Sequence, residues 1–148
     1  MTVCRKTEEV LAYAEEFALS RAAPQQRDLL SVALRKLRLQ ALTQELPAFI
    51  YLPLWVYASL RGDDRPAIPL AGATSLLFIG LDLFDDLADG DLTAEWGRYR
   101  PSEISLLAAT LLCALPQLAI SGLDARPACL AEMQKTLAKG LLQMAAGR

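Results

Sequence analysis

Apolar residues recur along this chain at intervals of three and four rather than in alternation. Within residues 26–44, Leu30, Leu34, Leu37 and Ala41 share one side of a helix of 3.6 residues per turn. Arg27, Arg35, Lys36 and Arg38 lie mostly on the other. No stretch alternates apolar with polar positions, and no Asn-Gly or Asp-Gly turn joins two β-rich runs. Leu, Ala, Glu, Arg and Gln dominate, all residues that lose little rotamer freedom in a helix. The pattern therefore predicts an all-α helical bundle, and at 148 residues a single domain.

Punctuation residues divide the chain into six predicted helices. The first opens with Thr7 as N-cap, carries Glu8 and Glu9 in its first turn, and stops before Pro24. The second covers residues 26–44. The third, "AFIYLPLWVYASL", should be kinked by Pro53 and ended at Arg61-Gly62. The turn "GDDRP" follows, where Asp63 or Asp64 can cap a fourth helix; Pro66 suits its first turn, and its apolar body then runs from Ile68 to the aspartates, ending near Gly90. "TAEWGRYRP" reads as a connecting loop. A fifth helix starts at Ser102 and Glu103, passes Pro116 and ends at Ser121-Gly122; Asp124 caps an amphipathic sixth that reaches Ala146.

The fourth helix runs an apolar body, "IPLAGATSLLFIG", into "LDLFDDLADGD", which holds five aspartates. Asp82, Asp85, Asp86 and Asp89 have the spacing i, i+3, i+4, i+7 and so form one stripe, with Leu81, Leu83, Phe84, Leu87 and Ala88 on the other faces. Like charges at i, i+4 destabilise a helix by about 0.2–0.5 kcal/mol each, and carboxylates near a helix C-terminus oppose the macrodipole. In a partly dry cleft they would also raise one another's pKa unless a cation compensated them. A divalent metal relieves both strains, and Mg²⁺ suits carboxylates shared with substrate phosphates. The plain alternative is a solvated helix end. An EF-hand does not fit, because a loop starting at Asp85 has Leu87 in its third position and Trp96 in its twelfth.

Composition narrows the chemistry further. Histidine is absent, which removes histidine-based triads and general bases along with most zinc sites. The formal net charge is −2 with no long basic run, so nucleic acid is excluded as the expected partner. Cys4, Cys113 and Cys129 show no CxxC spacing, and two of them lie in apolar or alanine-rich helical context, which reads as small buried thiols of a reducing, cytoplasmic compartment. The N-terminus turns acidic before any signal-like apolar core forms. Residues 68–81 and 104–120 are apolar but fall short of the roughly 20 residues that a bilayer requires, and each contains proline. No transmembrane span is expected, a small membrane-associated helical protein remaining the minor alternative.

The stretch "AIPLAGATSLLFIGLDLFDDLADGD" resembles the trans-isoprenyl diphosphate synthase (polyprenyl synthetase) superfamily, whose first aspartate-rich motif, DDxxD, matches Asp85, Asp86 and Asp89. "AIPLAGA" looks like that family's upstream Ala-hydrophobic-Pro-hydrophobic-Ala-Ala-Ala segment. "DGDLTAEWGRYRPSEISLLAATLLCAL" is similar to a divergent bacterial branch, the class 1 isoprenoid biosynthesis enzymes, in which a Trp-Gly loop and an apolar helix follow the motif. The resemblance covers residues 51–118. It implies a helical bundle around a deep cavity and a Mg²⁺-dependent prenyltransferase that binds an isoprenyl diphosphate. The catalytic and metal-binding residues implied are Asp85, Asp86 and Asp89, with Asp82 as an auxiliary carboxylate. It also implies that Gly80 and Leu81, just before the motif, limit the length of the hydrocarbon tail, and that Arg98 and Arg100 are displaced phosphate partners.

The chain departs from the family in three places. "LPAFIYLPLWVY" stands where a Gly-Gly-Lys-Arg grip is usual, Ala94 and Glu95 replace an Arg-Arg pair, and no aspartate follows Asp124. "LLQMAAGR" looks like the approach to the family's Gly-Gln-x-x-Asp segment. An amino-terminal half is therefore expected, with apolar faces left for a homo-oligomer or a complementary chain. A non-catalytic or regulatory subunit that self-associates through its helices is the alternative function.

Overall fold

The computed structural model describes residues 2–44 and 46–146, with side chains from residue 5 onward. Seven α-helices and no strand are found among the described residues: α1 (Thr2–Arg21), α2 (Pro24–Thr43), α3 (Ala48–Arg61), α4 (Ile68–Asp89), α5 (Pro101–Ala109), α6 (Leu115–Ser121) and α7 (Pro127–Ala145). A single π-helical segment, Thr110–Ala114, joins α5 to α6, so these two form one rod, and the all-α bundle has the six rods expected. Short 3₁₀ turns at Arg65–Ala67 and Ala94–Trp96 flank α4.

Helix α4 is the central element. It packs against α1, α2, α3, α5 and α6, burying Ala71, Gly72, Ala73, Ser75, Leu76, Ile79, Gly80 and Leu83. Small residues in its first half let neighbouring helices approach closely, while Leu76, Ile79 and Leu83 fill the centre beside Leu30, Leu37, Ile50, Leu54, Ile104 and Leu111. The acidic end of α4 lies against Lys36 and Gln40 of α2. Gly90, at φ 76°, takes the left-handed conformation that ends the helix, and Asp91 N–H closes onto the Asp86 carbonyl at 2.9 Å.

Two prolines inside helices leave visible consequences. Pro53 sits within α3 without an N–H for the Phe49 carbonyl. The Thr74 hydroxyl of α4 lies 2.6 Å from that oxygen, the shortest of its contacts, and supplies the missing donor across the helix interface. Pro116 follows the π segment directly. Its ring would collide with the carbonyl of residue 112 in a regular α-helix, and one wider turn relieves the collision.

Several sequence expectations are corrected. Thr7 is not an N-cap: α1 begins at Thr2, and the Thr7 hydroxyl is buried 3.1 Å from the Tyr51 hydroxyl of α3. Asp124 does not cap the last helix, which opens at Pro127 after Arg126. The fifth helix begins at Pro101, where the Glu103 carboxylate accepts the Arg100 N–H at 2.8 Å. The outward basic side of α2 holds only for Arg27 and Arg35. Arg38 pairs with Glu8 and Glu15 of α1, and Lys36 turns toward α4. Cys113 and Cys129 are exposed rather than buried, and the side chain of Cys4 lies outside the described residues.

The length argument against membrane spans also fails, because folding adds turns beyond the purely apolar runs. Arg65–Asp89 and Pro101–Ser121 are long and apolar enough to cross a bilayer by length and composition, with 50% and 44% of their most apolar windows buried inside the bundle.

Candidate functional site

The helical spacing of the acid stripe is realised in α4, but its four carboxylates have different surroundings. Asp82 and Asp86, one turn apart, face α2. The Lys36 ammonium stands between them, 2.6 Å from Asp82 Oδ2 and 2.5 Å from Asp86 Oδ2. One turn further along α2, the Gln40 amide donates to Asp82 Oδ2 at 3.1 Å. The three charged side chains are half-buried, with 21% exposure at Lys36, 28% at Asp82 and 24% at Asp86. Burial by itself would push the Lys36 ammonium down. Its hydrogen bonds to Asp82 and Asp86, together with their charges, outweigh that effect and hold it above the ordinary lysine range.

Asp85 and Asp89 are exposed, and no ion pair among the described residues reaches either. They too are one turn apart, on the solvent side of the stripe. Among the described residues, no three Asp, Glu, Cys or His side chains converge as a ready ligand set. The donor chemistry nevertheless fits a hard cation: two adjacent carboxylates without counter-charges match the one or two that Mg²⁺ takes when substrate phosphates and waters complete its shell. Asp82 and Asp86, by contrast, already hold a cation of the protein's own.

Beside the stripe lies an open groove of about 970 Å³. Its walls come from Phe78, Leu81 and Phe84 of α4, Leu112 and Cys113 of the π segment, and Leu141, Leu142 and Met144 of α7. Asp82 and Asp85 lie in the same lining, and Gln117 adds a neutral amide. The groove exists because α7 packs only loosely: it has no buried residue, and Leu142 and Met144 are 71% and 46% exposed. The π segment contributes as well, since its wide turn presents Leu112 and Cys113 to the groove while Leu111 points into the core.

The tail-limiting pair suggested by the resemblance is split. Leu81 lines the groove, whereas Gly80 is buried on another face, where a Cβ would stand 2.8 Å from Leu111 Cβ and 3.1 Å from the Leu112 nitrogen. Gly80 is thus the point at which α4 meets the backbone of the π segment. Arg98 and Arg100 are exposed and line no part of the groove; Arg98 lies over the Tyr99 ring at 5.0 Å, and Arg100 precedes the first turn of α5.

Two residues were passed over by the sequence reading. Lys36 was assigned to the solvated side of α2, and only its spacing of i, i+4 with Gln40, matching that of Asp82 with Asp86, hinted at a facing pair. Trp96 was placed in a loop, yet it is 1% exposed, with its indole N–H buried and unpaired. Comparison with protein-family models, curated proteins and solved structures finds no match to this chain.

Proposed function

We propose that the chain binds an isoprenyl diphosphate, with the hydrocarbon tail in the groove between α4 and α7 and the diphosphate at the acid stripe through Mg²⁺, as part of a prenyltransferase. The observation that carries this reading is a large apolar groove whose lining also contains Asp82 and Asp85, so that an amphiphile with an oily tail and an anionic head finds both environments within one helix. Asp85 and Asp89 are the residues best placed to hold magnesium, with Asp86 joining them and Asp82 in support. The metal, when bound, supplies neutralisation of the diphosphate charge. Leu81, Phe84 and Leu142 exclude water from the tail. The apolar helices Arg65–Asp89 and Pro101–Ser121 are read as core elements, since about half of each window is already covered by protein.

Calorimetric titration with farnesyl diphosphate, farnesol and pyrophosphate, each with and without Mg²⁺, tests the proposal. Tight binding should require tail, head and metal together, and should be lost in an Asp85→Asn, Asp89→Asn double variant. Equal binding of farnesol, or no dependence on Mg²⁺, would refute it.

A second reading, a helical subunit that associates through α7, is supported by the absence of buried residues on that helix. Light scattering after size exclusion separates the two. A stable oligomer indifferent to Mg²⁺ and to diphosphates favours the subunit, whereas ligand binding by a monomer favours the first reading.

A further inference from the structure

Among the described residues, Lys36 is the one cation that the fold delivers into the acid stripe. Its Nζ lies within 2.6 Å of carboxylate oxygens from both Asp82 and Asp86. Gln40 fixes the same face of Asp82 from the next turn of α2. An ammonium seated this closely fills the shell in which a divalent ion would sit, since Mg²⁺ demands oxygens at roughly 2.0–2.1 Å. The two cations repel each other and compete for those oxygens. Lysine differs from a fixed counter-ion in riding on a flexible four-carbon stem, so it can leave without unfolding α2.

We propose that Lys36 is a tethered counter-cation, a positioning residue that competes with divalent metal for Asp82 and Asp86. It divides the stripe into a latched pair facing α2 and an open pair, Asp85 and Asp89, facing solvent. This rests on the reading of the stripe as a magnesium site. Metal meets the open pair first, and Asp86 becomes a ligand only when the lysine swings aside. Without metal, the lysine keeps two half-buried carboxylates compensated and ties α2 to α4. A lysine that stayed seated would also weaken metal binding through its charge, but its amine would be no more reactive with metal than without it.

The test uses the whole chain with Mg²⁺ as the only ligand, in wild type, Lys36→Met and Lys36→Arg. Calorimetry should show about tenfold tighter Mg²⁺ binding in Lys36→Met, equivalent to roughly 1.4 kcal/mol. Thermal unfolding should show a lower Tm for that variant without metal and a larger Mg²⁺-induced rise than in wild type. Lys36→Arg, which keeps the charge, should behave as wild type. A second measurement does not depend on any variant folding: the rate at which an amine-acylating reagent modifies Lys36 in the wild-type chain, followed by mass spectrometry, should rise several-fold on adding Mg²⁺. If the wild type binds Mg²⁺ while Lys36 reactivity stays constant, the competition is refuted and the metal site stands. If the wild type binds no Mg²⁺, both fall.

Discussion

Alanine placed at Gly80 and at Gly140 is the same substitution in the same secondary structure, yet the two should move stability in opposite directions. Alanine is favoured over glycine inside a helix by about 1 kcal/mol, so each variant begins with a similar gain. At Gly140, within α7, a new Cβ meets nothing within 4 Å, and the gain of about 0.5–1 kcal/mol survives. At Gly80 the Cβ would stand 2.8 Å from Leu111 Cβ and 3.1 Å from both the Leu111 carbonyl carbon and the Leu112 nitrogen. Two of these three atoms are backbone, so no side-chain rotation relieves the crowding, and the rods must part. Overpacking of this kind costs about 1–3 kcal/mol. The upper half of that range applies against backbone, which leaves Gly80→Ala destabilised by about 1–2 kcal/mol after the propensity gain is subtracted. Urea unfolding followed by far-ultraviolet circular dichroism reads both variants. Thermal midpoints should move by about 2–4 °C per kcal/mol for a chain of this size. If Gly80→Ala were as stabilising as Gly140→Ala, α4 would not be seated on the π segment. Gly80 would then be free to line a ligand cavity, as the family resemblance implied.

Three further outcomes follow from the same contacts. Thr74→Val removes the donor that reaches the Phe49 carbonyl left open by Pro53, and should lower unfolding free energy by about 1–3 kcal/mol, while Thr74→Ser stays near wild type in the same urea assay. Asp89→Asn removes an exposed negative charge from the last turn of α4 and should raise stability by a few tenths of a kcal/mol without metal; a loss instead would mean that Asp89 has a compensating partner. The Lys36 ammonium titrates above its unfolded value of 10.5, so its tie to Asp82 and Asp86 is complete at neutral pH. That contribution fades as pH rises beyond 10.5 toward the folded-state value, and wild type should converge on Lys36→Met in thermal unfolding across that alkaline window.

Helix number and type were legible in the linear pattern because both are local. Periodic leucines, Gly62 and Gly90 at positive φ, and proline near helix starts act within a few residues of themselves. So was the stripe formed by Asp82, Asp85, Asp86 and Asp89, which follows from 3.6 residues per turn alone. What these residues face depends on neighbours distant in the chain. Lys36 lies 50 residues from Asp86, and no local rule pairs them; docking of α2 on α4 does. The same docking turns one periodic acid stripe into two unlike pairs. Thr7 was misjudged, and the burial of Trp96 went unseen, for a related reason, since a hydroxyl or an indole enters the interior only when another helix offers a surface for it. The groove, finally, is a gap between α4, the π segment and α7, and a gap has no residue of its own to announce it: its position was decided by how the helices come together.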